Sequence, residues 1–513
     1  TGSHAAKFGI SDVFGHNIAV NSAGQEMSYR FLNGVPNQVT LYAEPSVVAV
    51  NMNADLGIYG EDRWTVGRLT LNVGLRYDHF HGSVPAQDEA ALIAQFGLFT
   101  PPFSPAQSYP AVDNVPLWND VSPRLGGVYD LFGNGRTAVK ASVGRYVTGQ
   151  TTTLATAANP ITKSIVSASR NWTDSNHNYV VDCNLTNPTA NGECGPISNT
   201  NFGQSNPNAT RYASDVTNGN RPYSWELEAG LQHELAPGWS VAGTYYRRWF
   251  GHFSVTQNLA TAASNYSPYC ITAPVDPRLP GGGGDPICGY YDVNPDKFGQ
   301  VTSLVTLASN FGKQESVWDG FGLTTNFRLP KGVRVQGGLD DGRLRTNDCF
   351  VVNQPQLSGL AGSPNTSAYC DVRPPFQAQV KFLAVYPLPL ANLQLSAAYQ
   401  NLPGPQITAS YTATNALIAP SLGRNLSSGA NGNATLQIIP PGTIYGARAQ
   451  ELDVSLKKPI RVKGIRVMGS LDAYNVLNRS DITSYNTIYG PAWLRPTNIL
   501  SGLWLKLGVQ LDF

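Results

Sequence analysis

Charge is scarce in this chain. Lys, Arg, Asp and Glu make up 13% of its 513 residues, and 35 basic against 34 acidic side chains leave a formal net charge of +1. That is about half the charged share of an ordinary soluble domain. A near-neutral chain without a basic or acidic block excludes nucleic-acid binding and polybasic attachment to a membrane surface. Methionine is rarer still, at 3. No apolar run approaches the ~20 residues of a membrane-spanning helix. The 7 histidines are scattered. Neither a G-x-S-x-G elbow nor an H-E-x-x-H pair occurs, so nucleophilic and zinc hydrolysis have no motif to rest on. Asp340-Asp341 reads as a solvated strand end rather than a glycosidase acid pair. No enzymatic activity is expected.

Glycine, tyrosine and tryptophan are plentiful instead, at 51, 24 and 9. This is a β-rich profile with many turns and many interfacial aromatics. The last fourteen residues show the pattern best. Leu503, Leu505, Leu507, Val509, Leu511 and Phe513 fall on one face, and Trp504, Lys506, Gly508, Gln510 and Asp512 on the other. A period of two means a strand. One wholly apolar face opposite a polar one suits a wall between lipid and a watery lumen. A soluble sheet with one wet face is the competing reading. In lipid, with no membrane helix available, only a closed barrel satisfies every backbone group.

Such strands recur in pairs joined by short turns at Thr65-Val66-Gly67, Gly133-Asn134-Gly135, Ala236-Pro237-Gly238, Pro330-Lys331-Gly332, Pro387-Leu388-Pro389 and Lys463-Gly464. With an opening strand from His4 to Ile10 and the closing one, about fourteen strands are expected. The polar face should carry Glu61, Arg63, Arg76, Asp78, Glu226, Glu228, Arg328, Arg334, Asp340, Lys381, Asp472 and Lys506. Trp64, Trp239, Trp249, Tyr386, Tyr474 and Trp504 lie near strand ends as candidates for interfacial belts. Between the pairs run long loops, roughly 82–118, 148–222, 252–316, 346–373, 402–448 and 479–499. Short turns at one rim and long loops at the other is the asymmetry of outer-membrane barrels. A hairpin is predicted about Asn33-Gly34, and another near Val301 to Leu307. No leader peptide precedes Thr1, so the start reads as a processed or partial end rather than a tag scar at Gly2-Ser3-His4.

All six cysteines lie in long loops, as neighbours: Cys183 with Cys194, Cys270 with Cys288, and Cys349 with Cys370. Proximity suggests sequential loop-closing disulfides, although six cysteines allow fifteen pairings. Asp174, Asn176, Asn178 and Asp182 form D-x-N-x-N-x-x-x-D. Oxygen ligands at alternate positions of a tight loop suit Ca²⁺, although the usual glycine and final glutamate are missing. Calcium is the single candidate ion, and no other cofactor is required. Trp172, Tyr179, Tyr266 and Tyr269 are loop aromatics that could stack a sugar or peptide, or pack the loops on themselves.

Leu56 to Asp78, L-G-I-Y-G-E-D-R-W-T-V-G-R-L-T-L-N-V-G-L-R-Y-D, resembles a signature of TonB-dependent outer-membrane transporters. So does Leu471-Asp472-Ala473-Tyr474-Asn475-Val476-Leu477-Asn478 with the closing strand. The cysteine loop from Trp172 to Cys194 resembles the Oar-like branch. The resemblance implies an all-β, antiparallel transmembrane barrel of 22 strands around an N-terminal plug. Residues 1–513 then read as the C-terminal portion of the barrel, without the plug. Implied partners are outer-membrane lipid, the plug and remaining strands, a TonB-type energising complex and an extracellular ligand. The implied function is energised uptake of a large or scarce ligand across the outer membrane of a Gram-negative bacterium. A surface adhesion barrel and a passive porin are the alternatives.

Overall fold

The computed structural model describes residues 3–105, 107–358, 367–389, 392–462 and 465–512. Gly2, the Lys463-Gly464 turn and the terminal Phe513 lie outside the described residues. The main sheet contains 17 strand segments. Two of them, Asn218–Gly219 and Asp371–Val372, are only two residues long, and two more are halves of one interrupted strand. Fourteen wall strands remain, as the alternation predicts.

Strand β1 runs as His4–Ser11 and Gly15–Asn21, both paired to β2, Ser46–Val66. Then follow β3 (Leu69–Ser83), β4 (Leu117–Asp130), β5 (Thr137–Val147), β6 (Tyr223–Ala236) and β7 (Trp239–Gly251). The wall continues with β8 (Glu315–Arg328), β9 (Arg334–Asn347), β10 (Gln379–Leu388) and β11 (Leu393–Leu402). It closes with β12 (Ala449–Val462), β13 (Ile465–Tyr474) and β14 (Trp504–Asp512). Every strand is antiparallel to the next. Among the described residues no pairing joins β1 to β14, so each keeps an open outer edge.

Register carries the period of two across the whole wall, because paired residues point the same way. Lys7 faces Glu61, Glu61 faces Gly74, and Gly74 faces Arg124. Farther along, Glu226 faces Arg248, Lys381 faces Gln400, and Asp472 faces Lys506. All twelve charges expected on the polar face share it. Phe8, Leu75, Leu125, Leu323 and Leu471 lie on the opposite face and are exposed. Leu507 and Val509 there are 83% and 74% exposed, and no second layer covers them. A water-borne protein would bury such a face; a lipid-facing wall must not.

The buried core lies instead among the long loops. Its largest cluster gathers Tyr269, Ile271, Tyr290, Ile418, Leu436 and Trp493 from three different loops. A second joins Val39 and Leu41 of the Asn33-Gly34 hairpin to Trp172 and Phe202. The short turns form the opposite rim. Gly238 shows why glycine is needed there: its φ is +80°, and a Cβ would lie 2.5 Å from the Arg328 carbonyl oxygen.

Some elements differ from expectation. β2 starts ten residues earlier than the alternation indicates, because Val47, Val48, Ala49 and Val50 are buried on both faces by loop segments and show no alternation. The hairpin at Met27–Leu32 and Val35–Tyr42 is present. The one near Val301 is not. Ser303–Leu307 pairs with Ser254–Asn258 from the start of the same loop, so the partner is remote in sequence. Tyr474 and Trp504 stack at 4.1 Å on the polar face, beside Asp472 and Lys506, and so belong to no lipid belt. Asp340 and Asp341 point to opposite faces and cannot act as an acid pair.

Candidate functional site

The polar face encloses a cavity of about 1390 Å³ whose lining runs from Lys7 of β1 to Leu344 of β9. Nine adjacent strands laid flat, with eight spacings of ~4.8 Å, would cover about 38 Å. One cavity touching all that width therefore requires the wall to curl about its polar side. The charges within it are paired loosely. Arg248 Nε donates to Glu226 at 3.0 Å, and Lys7 Nζ lies 3.7 Å from Glu61. Arg124 lies over the Tyr146 ring at 4.8 Å. These groups stay partly exposed, so the lining is hydrophilic, with charges of both signs available to whatever enters the cavity.

Toward the long-loop rim the wall divides. β4 and β5 pair only from Asp130↔Ala138 to Arg124↔Gly144. Beyond that, Asn218–Gly219 runs parallel beside Leu117 and Trp118, and Trp118 Nε1 donates to the Val216 carbonyl at 2.9 Å. Arg221 enters the gap and donates through Nε to Asp120 at 2.9 Å. Arg145 Nη2 donates to the same carboxylate at 3.0 Å, and Arg76 Nε holds Asp78 at 2.7 Å. Asp120 is fully buried, and a buried carboxylate persists only when paired. This knot pins the end of the 148–222 loop into the wall. Strand alternation gives no sign of it, because Arg221 comes from a loop.

The loops are built lobes rather than loose excursions. All three proximal cysteine pairs are disulfides: Cys183–Cys194, Cys270–Cys288 and Cys349–Cys370, with Cα separations of 5.9, 4.1 and 4.8 Å. Arg170 is 1% exposed, and among the described residues no carboxylate lies within ion-pair distance of it. Its guanidinium donates to four carbonyls, of Gly195, Asn184, Asn187 and Thr189, at 2.6–3.0 Å. It thereby shapes the first disulfide loop, and burial lowers its pKa. In the largest lobe Arg278 grips Asp276 through Nε and Nη2, and Tyr489 donates to the same carboxylate at 3.0 Å. Arg278 holds the Asp276 carboxyl well below the usual range. Burial pushes the Tyr269 hydroxyl up to about 12.

The aromatics divide by burial. Trp172 and Tyr269 are core residues, packed on Tyr29 at 5.1 Å and Tyr290 at 5.7 Å, and cannot present a ligand platform. Tyr179 is exposed beside Phe31. The four residues of the D-x-N-x-N-x-x-x-D loop do converge. Asn176 and Asn178 donate their amides to Asp182 Oδ2 at 2.7 and 2.9 Å, and Asp174 accepts from the backbone of Asn178 and Tyr179. These amide bonds hold the Asp182 carboxyl below its usual pKa.

Comparison with known proteins agrees with this geometry. The family model described as outer membrane beta barrel domain matches residues 4–314. Over 229 residues the chain is 24% identical to the TonB-dependent transporter Oar of Myxococcus xanthus, covering 44% of this chain and 19% of Oar. The outer membrane transporter YddB from Escherichia coli shares the fold, with a TM-score of 0.54 at 12% identity, over 100% of this chain and 52% of YddB. The siderophore receptor PiuA from Acinetobacter baumannii gives 0.44 at 11%, over 99% of this chain and 52% of PiuA. The chain therefore spans about half the length of these solved structures and about a fifth of Oar. By name these proteins are transporters and a receptor. From its lipid-facing wall, its polar concave face and the matched model, this chain belongs to the outer membrane beta barrel domain family and resides in the outer membrane of a Gram-negative bacterium.

Proposed function

We propose that this chain is the C-terminal barrel portion of a TonB-dependent transporter that takes up a large or scarce ligand by energised transport. The observation that carries the reading is an amphipathic wall of fourteen strands, curled about a polar cavity, with open edges at β1 and β14. Unpaired edges in lipid leave rows of unsatisfied backbone groups, so further strands should complete the ring. A plug then occupies the polar interior, and a TonB-type complex moves it. The loop lobes supply the surface that captures ligand outside the cell. The test is a mass and reconstruction of the particle purified intact from outer membranes, together with planar-bilayer recordings. The reading expects extra strands and a plug in the particle, and steady conductance only after plug removal. A ring closed by these fourteen strands alone, conducting without treatment, would replace it with a porin. A plugless assembly held together by loop contacts would favour the adhesion reading.

The loop from Asp174 to Asp182 is proposed as a Ca²⁺ site on the same protein. Rotating the Asn176 and Asn178 amides would present their oxygens beside the two carboxylates, a hard donor set. The expected result is faster proteolysis between Asp174 and Cys183 after chelation, restored by Ca²⁺ and not by Mg²⁺. Unchanged cleavage would remove the site.

A further inference from the structure

The lipid-facing side of β7, β8 and β9 carries an unusual transition. Register places its outward residues in rows. From the short-turn rim these are Trp239, Phe327 and Val335; Val241, Thr325 and Gly337; then Gly243, Leu323 and Leu339. Above them come Tyr245, Phe321 and Asp341; Arg247, Asp319 and Arg343; and Trp249, Val317 and Arg345. From the Trp239 row to the Trp249 row is about 33 Å along the strand at ~3.3 Å per residue. A tilt of ~40° reduces that to about 25 Å of height, equal to the apolar band of a barrel. The two tryptophan rows therefore mark the two membrane interfaces, with Trp225 stacked on Trp249 in the upper one. The arginines lie within about 5 Å of the upper interface, where lipid headgroups begin.

Guanidiniums on the lipid side are costly at mid-depth and useful only at this height. Here they are arranged in advance. Asp319 is buried and accepts from Arg247 Nη1 at 3.2 Å, Arg345 Nη2 at 2.8 Å and Tyr245 Oη at 2.9 Å. One carboxylate thus holds two guanidiniums side by side, with most of their N–H donors unspent. Arg343 lies over the Phe376 ring at 4.5 Å, and no carboxylate approaches it within ion-pair distance among the described residues. The Nε atoms of Arg343 and Arg345 lack hydrogen-bond partners. A cleft of about 560 Å³ opens beside them, lined by Arg247, Arg345, Trp249, Val317, Lys313 and Arg373. Glu315 and Asp371 partner the last two cations at the outer rim, so the unspent donors belong to the three arginines. β7–β9 lie mid-wall, far from both open edges, so strands that complete the ring cannot cover this patch. A plug would sit on the opposite face.

We propose that this outer-wall patch binds the phosphorylated headgroup of an outer-leaflet glycolipid. Arg343 and Arg345 donate to the phosphate, Arg247 supports them, and Trp249 and Val317 meet the lipid at the acyl boundary. Guanidinium suits phosphate because its planar fork gives parallel, charge-assisted hydrogen bonds. The inference does not depend on what the lumen carries.

The test uses full-length protein extracted from outer membranes into detergent and titrated by native mass spectrometry. The probes are bisphosphorylated lipid A, the same lipid without its phosphates, and inorganic phosphate. The unaltered protein should retain the phosphorylated lipid at least about tenfold more tightly than the phosphate-free form. The double variant R343Q/R345Q should lose that preference, and Lys331→Gln at the opposite rim should keep it. Should the double variant fail to fold, as judged by gel mobility with and without heating, Arg343→Gln alone carries the test, since its guanidinium holds no carboxylate. Equal retention of the two lipids, an unchanged preference in the variant, or inorganic phosphate binding as tightly as the lipid would each overturn the proposal.

Discussion

Leu507→Arg separates a membrane wall from every water-borne alternative. Leu507 and Val509 bracket the midpoint of β14, opposite Leu471 and Gly469 of β13, on the face that nothing covers. In water an 83% exposed leucine can become arginine at a cost within about 0.5 kcal/mol, since no contact is lost. Near the bilayer midplane the same change costs about 2–4 kcal/mol, because a guanidinium enters hydrocarbon. The ratio of folded to unfolded protein should therefore fall about 30- to 1,000-fold. The assay is reversible urea unfolding in phospholipid vesicles, followed by tryptophan fluorescence. Lys506→Arg, one position away on the polar face, serves as the control and should change little. If Leu507→Arg unfolds at the same urea concentration as the parent in vesicles, β14 does not face lipid and the wall assignment fails. A loss for both variants would point to general fragility of the open edge instead.

Arg170→Met removes the guanidinium that gathers four carbonyls, so the Cys183–Cys194 lobe should lose about 1–3 kcal/mol and be cleaved faster by chymotrypsin at Trp172 and Tyr179, while the wall keeps its heat-dependent gel shift. Unchanged cleavage would show that the guanidinium is dispensable. Replacing Cys270 and Cys288 by serine opens a loop with a sequence separation of 18 and should cost the largest lobe about 3 kcal/mol, read by hydrogen exchange at Ile271 and Tyr290. Equal exchange rates would refute that contribution. The Asp276–Arg278 pair gives the same lobe an acid limit. A carboxyl held below its unfolded value adds stability that is complete above about pH 4 and is lost as the pH falls through the lower folded value. Protection of Trp493 should therefore decline below about pH 4, and Asp276→Asn should flatten that decline; an identical acid profile in the variant would assign it to other groups.

Much of the wall was legible because alternation is a local property. Leu503 to Asp512 reads as lipid face and polar face with no partner in view, and the register then places Lys506 opposite Asp472 as the pattern requires. Alternation was silent where both faces are covered, as at Val47 to Val50, and in pairings across long separations, such as Ser254–Asn258 with Ser303–Leu307. The loop aromatics show a different gap. Nothing near Trp172 or Tyr269 in the chain announces burial, because their partners come from Tyr29 and from the Ile418 and Leu436 segments.

The amino-acid order by itself determined that strands alternate, that they number about fourteen, which rim has the short turns, and which cysteines are near enough to join. Each depends on neighbours within a few residues or one turn. Only the tertiary structure decided that the wall curls about its polar side, that Arg221 and Arg145 converge on Asp120, and that Asp319 gathers arginines on the lipid side. Those arrangements depend on strands and loops distant in the chain coming to one height of the wall, and their energies come from desolvated charge and cross-strand register rather than from local preference.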